Sequence, residues 1–351
     1  MRNFDYKLQS KSLYTSEIVK LLTQIHEYKG KQLLYIEATP DILDKLLDIA
    51  KIQSTVSSNR IEGIKTENKR INELLKQKSL PKNRDEIEII GYQNVLSTIH
   101  DSYEHIPIST GVILQLHRDM YSQTGKNFAG KFKNVDNMIE EEDQQGNKFI
   151  RFTPLSAFET PESMEKLCKE FNDILAIDTI EPLLAILMFI LDFLCIHPFN
   201  DGNGRMSRLL SLLLLYRSGY LVGKYISIER LIEDNKDRYY ASLGESSESW
   251  HDAKNNYLPF VYYMLQIILK AYQEFEERVS LVEKKSTSYE RIQSIFDNNF
   301  GKITKSDIKD ICPDLSQTTI ELALSKLLKD SYIKKIGSGR YTSYIKDTQL
   351  Y

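Results

Sequence analysis

One turn of this 351-residue chain concentrates groups that can do chemistry: His197-Pro198-Phe199-Asn200-Asp201-Gly202-Asn203-Gly204-Arg205-Met206-Ser207-Arg208. Pro198 disfavours helix at the residue before it, so an apolar helix reaching His197 should end there. Gly202 and Gly204 let the backbone approach a ligand closely where the next helix begins. The free N–H groups and positive end of that helix attract anions, and Arg205 and Arg208, three residues apart, project from one side of its first turn. Asp201 offers an oxygen of the kind a phosphate-bound Mg²⁺ takes. His197, with an ordinary pKa of about 6.5, can accept a proton from an attacking hydroxyl. Gly-Asn-Gly alone is a common turn, and a histidine beside an apolar helix is usually a packed or capping residue. Their conjunction at one helix start points to phosphate chemistry.

The elements that must position this turn are helices. Gly 15 and Pro 9 are low counts for the length, and apolar residues recur mostly at three- and four-residue intervals. The pattern predicts helices around a polar break between Ile42 and Lys76, then over Ile87 to His100 and Ile106 to Tyr121. Another follows Thr160, a candidate N-cap with Pro161 behind it, and continues through Ile174. Pro182 to Ile196 reads as a buried core helix and Arg205 to Ser218 as a second one, ending at Gly219. The two flank the polar turn. Between Gly125 and Thr153 the helical period disappears. There an alternating Phe132-Lys133-Asn134-Val135 run, an acidic Glu140-Glu141-Glu142-Asp143 loop, a Gly146-Asn147 turn and Phe149-Ile150-Arg151-Phe152 suggest a hairpin.

Past a polar Lys284-Lys285-Ser286-Thr287-Ser288 linker, three helices are expected at Tyr289 to Phe296, Lys305 to Ile311 and Ser316 to Lys329. Two short strands follow around Gly337-Ser338-Gly339, within Ile333 to Tyr344. This arrangement is similar to a winged helix-turn-helix. Residues 284 to 351 hold 12 Lys and Arg against 8 Asp and Glu, a local net charge of +4.

Composition narrows the rest. Lys+Arg 46 against Asp+Glu 49 gives net charge -3, so no polycationic field favours non-specific binding of nucleic acid or acidic membrane. Hydrophobic residues at 41% and charged residues at 27% suit a globular core and exclude global disorder. Cys168, Cys195 and Cys312 are an odd number at wide spacing, which fits reduced thiols rather than a disulfide framework or zinc site. The polar stretch from Met1 to Lys11 lacks the apolar core of a secretory signal, and no run reaches the roughly 20 apolar residues of a membrane span. Cytoplasmic residence without a membrane partner is the expectation.

The twelve-residue turn resembles the motif of the Fic family, His-Pro-Phe-x-Asp/Glu-Gly-Asn-Gly-Arg-x-x-Arg, with every defining position filled. The resemblance covers about residues 54 to 269. It implies a mainly α fold, a helical Fic-type domain with a β-hairpin flap, to which the small C-terminal winged helix-turn-helix domain is added. It also implies transfer of AMP from ATP onto a hydroxyl side chain of a protein. By the same resemblance His197 is the catalytic base and Asp201 holds a Mg²⁺ bridging the α- and β-phosphates. Gly202, Asn203 and Gly204 form the anion nest, Arg205 and Arg208 take the outer phosphates, and Met206 and Ser207 lie within the same nucleotide-binding stretch. Asn235 and Tyr240, in a segment similar to the family's Asn-Lys-x-x-Tyr-Tyr stretch with Tyr239, border the adenine pocket. Gly130-Lys131-Phe132-Lys133 matches the flap, which takes an extended target segment by strand addition. Asn137 stands there in place of a usual aliphatic residue, and Glu140 in place of a usual glycine.

A second match is Ser58-Asn59-Arg60-Ile61-Glu62-Gly63. Ser58 and Glu62, four apart, share a helix face, and Gly63 lets the chain turn away. The segment resembles the family's inhibitory helix, Ser/Thr-x-x-x-Glu-Gly/Asn, whose glutamate pairs with the second arginine, here Arg208. Glu62 would then sit in γ-phosphate space. The expected organisation is a helical region at 1–105 carrying Ser58, Glu62 and Gly63, a catalytic domain at 106–283 and a winged-helix-like domain at 284–351. The leading expectation is a self-inhibited protein adenylyltransferase with ATP and Mg²⁺. Its partners would be proteins bearing Ser, Thr or Tyr hydroxyls, itself included, and a second copy in a homodimer. Two alternatives stand beside it: an enzyme that removes AMP through water positioned by Glu62, and an ATP-sensing regulator whose C-terminal module binds DNA, the less favoured partner.

Overall fold

The computed structural model describes residues 2–38, 40–64, 68–75, 79–142, 148–283, 287–299 and 301–347. A short helix α1 (Tyr6–Gln9) leads into the long helices α2 (Ser16–Ala38) and α3 (Pro40–Ile61). Helices α4 (Asn68–Leu75), α5 (Arg84–Ser102) and α6 (Thr110–Met120) follow. Asn83 and Ser109 accept the first free amides of α5 and α6, as short polar side chains do at N-caps. A two-stranded antiparallel ribbon, β1 (Ile139–Glu142) and β2 (Lys148–Phe152), precedes α7 (Thr160–Ile177), α8 (Pro182–Ile196) and α9 (Asn203–Arg217). Helices α10 (Ile228–Glu233), α11 (Lys236–Ser247) and α12 (Leu258–Glu283) complete the main body.

Helix α8 is the axis. Its sequence is apolar on all sides except for Asp192, so it is stable only when surrounded. Helices α7, α9, α11 and α12 pack against it, and α9 turns its other sides to α5 and α3. One buried apolar cluster runs from Phe4 to Val279, so the N-terminal helices and the segment around α8 and α9 share a core. The one carboxylate of α8 is fully enclosed. Tyr6 Oη donates to Asp192 at 2.8 Å, Trp250 Nε1 at 2.6 Å and Tyr257 Oη at 2.9 Å, and the Arg2 guanidinium lies 3.6 Å away. These bonds tie residues 2–6 and 250–257 to the axis.

The C-terminal helices α13 (Ser288–Asn298), α14 (Lys305–Ile311) and α15 (Gln317–Lys329) and the antiparallel strands β3 (Ile333–Ile336) and β4 (Ser343–Lys346) enclose a separate cluster that includes Ile292, Phe296, Ile308, Leu324, Leu327 and Tyr344. Capping boxes at Thr287 and Thr304 start α13 and α14. Gln53 Nε2 donates to Asp310 at 3.2 Å, linking this unit to α3.

Three expectations change. Phe132 to Val135 forms no strand; the first strand is β1, and its Glu140, Glu141 and Glu142 pair with Ile150, Phe149 and Lys148, so this part of the acidic run is ladder rather than loop. A two-stranded ribbon satisfies its backbone groups through the partner strand whatever the polarity of its outward side chains. The Gly146-Asn147 turn and Lys284 to Ser286 of the linker lie outside the described residues. Glu159, not Thr160, occupies the N-cap position of α7, and the Thr160 hydroxyl donates to the Ser156 carbonyl.

Helix α5 crosses the end of α6 at Gly91, where an added methyl would lie far inside van der Waals contact with the Met120 carbonyl oxygen. Backbone cannot swing aside as a side chain can, so Gly91→Ala must part the two helices, at a cost of about 1–3 kcal/mol. Urea unfolding of the variant should show a lower midpoint with an unchanged slope; an unchanged midpoint would mean that the crossing is looser than described.

Candidate active site

The end of α8 and the start of α9 are held by left-handed residues. His197 has φ 53° and donates its N–H to Phe193 at 2.9 Å, ending α8, and Gly202 has φ 85° just before α9. Asn203 closes the intervening loop on both sides of one residue: its Oδ1 accepts from Phe199 N at 2.9 Å, and its Nδ2 donates to the Phe199 carbonyl at 2.8 Å. The first i→i−4 bond of α9 is Met206 N to Gly202 O. The amides of Asn203, Gly204 and Arg205 therefore have no acceptor within their own helix, as at any helix start. That is an anion site in waiting.

His197 lines the cavity beside this helix start. Burial, with help from the nearby Lys133 ammonium, pushes its pKa down to about 4, so the imidazole is neutral at neutral pH and free to take a proton. Nδ1 is buried and has no hydrogen-bond partner among the described residues.

A charge network gathers around Asp201 and Arg205. Asp201, with its side chain 41% exposed, receives Lys126 Nζ at 2.8 Å and has Arg205 at 3.5 Å. Burial opposes its charge, but the Lys126 hydrogen bond and Arg205 hold its pKa below the usual carboxylate range. Arg205 donates to Glu88 at 2.8 Å and to Tyr121 Oη at 2.6 Å. Glu88, on α5, also receives Lys126 at 2.8 Å and Arg84 at 3.0 Å.

Arg208 faces α3. Its Nε donates to Ser58 Oγ at 2.8 Å, and Nη2 donates to the Ser58 carbonyl at 2.9 Å and to Glu62 Oε1 at 2.8 Å. Burial opposes the Arg208 charge; Glu62, together with the nearby Tyr239 and Tyr92, outweighs burial and raises its pKa further. Helix α3 delivers Glu62 by a complete C-terminal motif. Gly63 has φ 83°, its N–H reaches Arg60 O at 2.9 Å, and Ile64 N reaches Asn59 O at 3.0 Å. The carboxylate then lies so close to Gly204 that a methyl there would overlap Glu62 Oε1. The Gly204 that lets a ligand approach the helix start here admits a side chain of the same protein.

These groups open onto a cavity of about 330 Å³, lined among others by Glu62, His197, Gly204, Arg208, Tyr239 and Tyr240. Ile139, Glu140, Arg151 and Phe152 of the hairpin form another of its sides, and Arg151 Nη1 donates to the Tyr240 carbonyl at 3.3 Å. Tyr240 is thus at the cavity. Asn235 is not: its Nδ2 donates to the Leu231 carbonyl at 3.2 Å, and it serves the turn between α10 and α11. Met206 is buried in the core and the Ser207 hydroxyl donates to Gly204 O, and neither lines the cavity. Asp201 and Arg205 lie outside the lining, Arg205 turned to Glu88 and Tyr121 while Arg208 lines the cavity.

Sequence reasoning missed His117, Glu88 and Lys126. The His117 ring stacks on Phe199 at 3.7 Å with the planes 1° apart. Its Nδ1 accepts from Gly130 N at 3.0 Å, so Nε2 carries the proton and donates to the Asp201 carbonyl at 3.1 Å. Burial lowers its pKa to about 4 and keeps it in that neutral form. A histidine and a glutamate on the buried faces of α6 and α5 were the available signals, yet neither names its partner.

The Fic/DOC family profile matches residues 107–215. The chain is 30% identical over 163 residues to the Caenorhabditis elegans protein adenylyltransferase fic-1, covering 46% of this chain and 29% of that protein, so it spans well under half the length of that relative. It is 32% identical over 120 residues to a Fido domain-containing protein of Dictyostelium discoideum, covering 29% of this chain and 81% of that one. The crystal structure of a Fic family protein from Desulfovibrio desulfuricans superposes with a TM-score of 0.60 at 22% identity, over 95% of this chain and 97% of that one. A fic-1 fragment from C. elegans gives a TM-score of 0.55 at 25% identity, over 73% of this chain and 70% of that one. With its helical fold, its small hairpin and the filled motif at the start of α9, the chain belongs to the Fic/DOC family.

Proposed function

We propose that the protein transfers AMP from ATP to a hydroxyl side chain of a protein, itself included, and that Glu62 holds this activity down. The observation that carries the reading is the juxtaposition of a neutral, buried His197 with an anion site at the start of α9, in one cavity. In the transfer His197 takes the proton of the target hydroxyl as its oxygen attacks the α-phosphorus; the bond to the oxygen bridging to the β-phosphate breaks, and pyrophosphate leaves. The amides at Asn203 to Arg205, with Arg205 and Arg208, hold the phosphates, while Tyr240 borders the base. The activity named for the nematode relative supports the reading.

Asp201 suits Mg²⁺: it is part-exposed, its ionised form is favoured, and Mg²⁺ is commonly held by one or two carboxylates together with nucleotide phosphates. No cluster of three acid, histidine or cysteine ligands exists among the described residues, so phosphates and water would complete the shell. Bound there, the metal would neutralise phosphate charge and orient the leaving group.

Glu62 restrains transfer by charge and by place. Its carboxylate lies against Gly204 at the helix start and engages Arg208, where the γ-phosphate would otherwise go. ATP then binds with its α-phosphate out of line. Because Glu62 and His197 line the same cavity, Glu62 can also position water for the removal of AMP, and the two directions share one site. The C-terminal unit, read as a winged helix, would select the partner.

ATP labelled on the α-phosphate should mark the chain, and ATP labelled on the γ-phosphate should not; the reverse result would replace nucleotidyl by phosphoryl transfer. His197→Ala should lower labelling by about 10²- to 10⁴-fold while ATP binding persists; retained labelling would remove His197 from the role. Glu62→Gly should raise self-modification by up to about 10²-fold, the scale of a 1 Å misplacement relieved, with a smaller change in ATP affinity. Unchanged rates of both AMP addition and AMP removal would sink the assignment of Glu62. Truncation before Lys284 should leave cooperative unfolding and self-modification intact, because residues 292–344 enclose their own core; joint loss of both would place the boundary elsewhere.

A further inference from the structure

The segment between α6 and β1 is stitched to the turn that carries His197. Lys133 N donates to Pro198 O at 2.8 Å, and Lys133 Nζ donates to Ile196 O at 3.0 Å, so one residue grips the carbonyls on both sides of His197. The same ammonium donates to Asn137 Oδ1 at 3.0 Å, and Asn137 Nδ2 donates to Phe199 O at 3.2 Å. Asn200 Nδ2 completes the seam on Asn134 Oδ1 at 3.1 Å. Strand β1 begins two residues beyond Asn137.

The choice of lysine is costly. Lys133 is 3% exposed, and burial lowers its pKa to about 8, against the support of Asp136. The ammonium is still mostly charged at neutral pH, held by two neutral oxygens. A buried charge kept under those conditions costs stability whatever its position serves, and an apolar side chain of similar length would fill the space without that cost. Asn137 has the same character: an aliphatic residue there could make neither of its two bonds.

We infer that Lys133 and Asn137 are positioning residues that lock the hairpin root to the His197 turn, so that a target strand laid along the hairpin arrives in fixed register with the base. The inference rests on the AMP-transfer reading for its purpose, but not for its geometry. The groups facing the His197 imidazole are Lys133 from the hairpin root, Arg151 from β2, Glu62 from the end of α3 and the Leu194 carbonyl of α8; Glu140, Arg208, Tyr239 and Tyr240 share its cavity. Lys133 and Arg151 disfavour the imidazolium, whereas Glu62 and the Leu194 carbonyl favour it.

The test uses the full chain with Lys133→Met and, separately, Asn137→Ala. His197 is followed by NMR titration without nucleotide, and self-modification is followed with α-labelled ATP. Lys133→Met should unfold at no lower denaturant concentration than the parent and lower kcat by about 10²-fold with KM for ATP unchanged. It should also raise the His197 titration midpoint, because a positive neighbour has been removed, which moves the acid limb of the rate profile to higher pH. Asn137→Ala keeps the charge, and should lower kcat with the midpoint unmoved. Lys133→Met with an unmoved midpoint, or with undiminished kcat in a protein that does transfer AMP, overturns the inference. A shifted midpoint in a protein whose parent transfers no AMP counts against the transfer reading and for the clamp.

Discussion

A buried guanidinium must have an anion or several oxygens around it, and Arg208 finds them at the end of α3. Its side chain is 4% exposed, and leaving such a charge without partners costs several kcal/mol. Ser58 supplies two oxygens and Glu62 the carboxylate, all from the last turn of α3 and the cap residue beyond it. The same carboxylate lies against Gly204, where the amides and dipole of α9 favour negative charge. A nucleotide triphosphate would bring a competing anion to both places. The resting state is therefore a satisfied electrostatic arrangement, and activation on this account is an exchange of one anion for another rather than the creation of a site.

That exchange demands a rigid frame. The backbone around His197 and Gly202 is left-handed, and each strained position is held by packing: His117 stacked on Phe199, Asn203 bonded to both backbone groups of Phe199, and Tyr121 closing over Gly202. Glu88 gathers Arg205, Lys126 and Arg84, keeping one arginine oriented while the other waits. Helix α3 is anchored on the far side as well, where Lys236 Nζ donates to the Ile61 carbonyl at 2.7 Å and Ser54 meets Ser227 at 2.9 Å. On this account, release of Glu62 would be confined to its helix end, since Gly63 is the residue on which the chain turns.

Much of this is legible in the sequence. The turn from His197 to Arg208 can be read because its residues are consecutive, and the ends of α8 are marked by Pro182 and Pro198. Ser58 and Glu62 were readable because an i, i+4 spacing puts both on one helix face. What escaped was set by distance along the chain: Glu88 meets Arg205 across 117 residues, and His117 meets Asp201 across 84. The hairpin was anticipated but displaced, because alternation at Phe132 to Val135 mimics a strand where Lys133 is in fact engaged with the catalytic turn. Asn235 stands beside a tyrosine pair, but here its amide serves the turn between α10 and α11 and it does not line the cavity.

Whether Glu62 acts through Arg208 is decided by a double-mutant cycle on the rate of AMP transfer. Single-turnover labelling from α-labelled ATP would be measured for the parent, Glu62→Gly, Arg208→Ala and the combination. If Glu62 restrains transfer by withholding Arg208 from the γ-phosphate, most of the acceleration from Glu62→Gly disappears in the Arg208→Ala background. An acceleration of equal size in both backgrounds would show that the two residues act independently and would contradict the account.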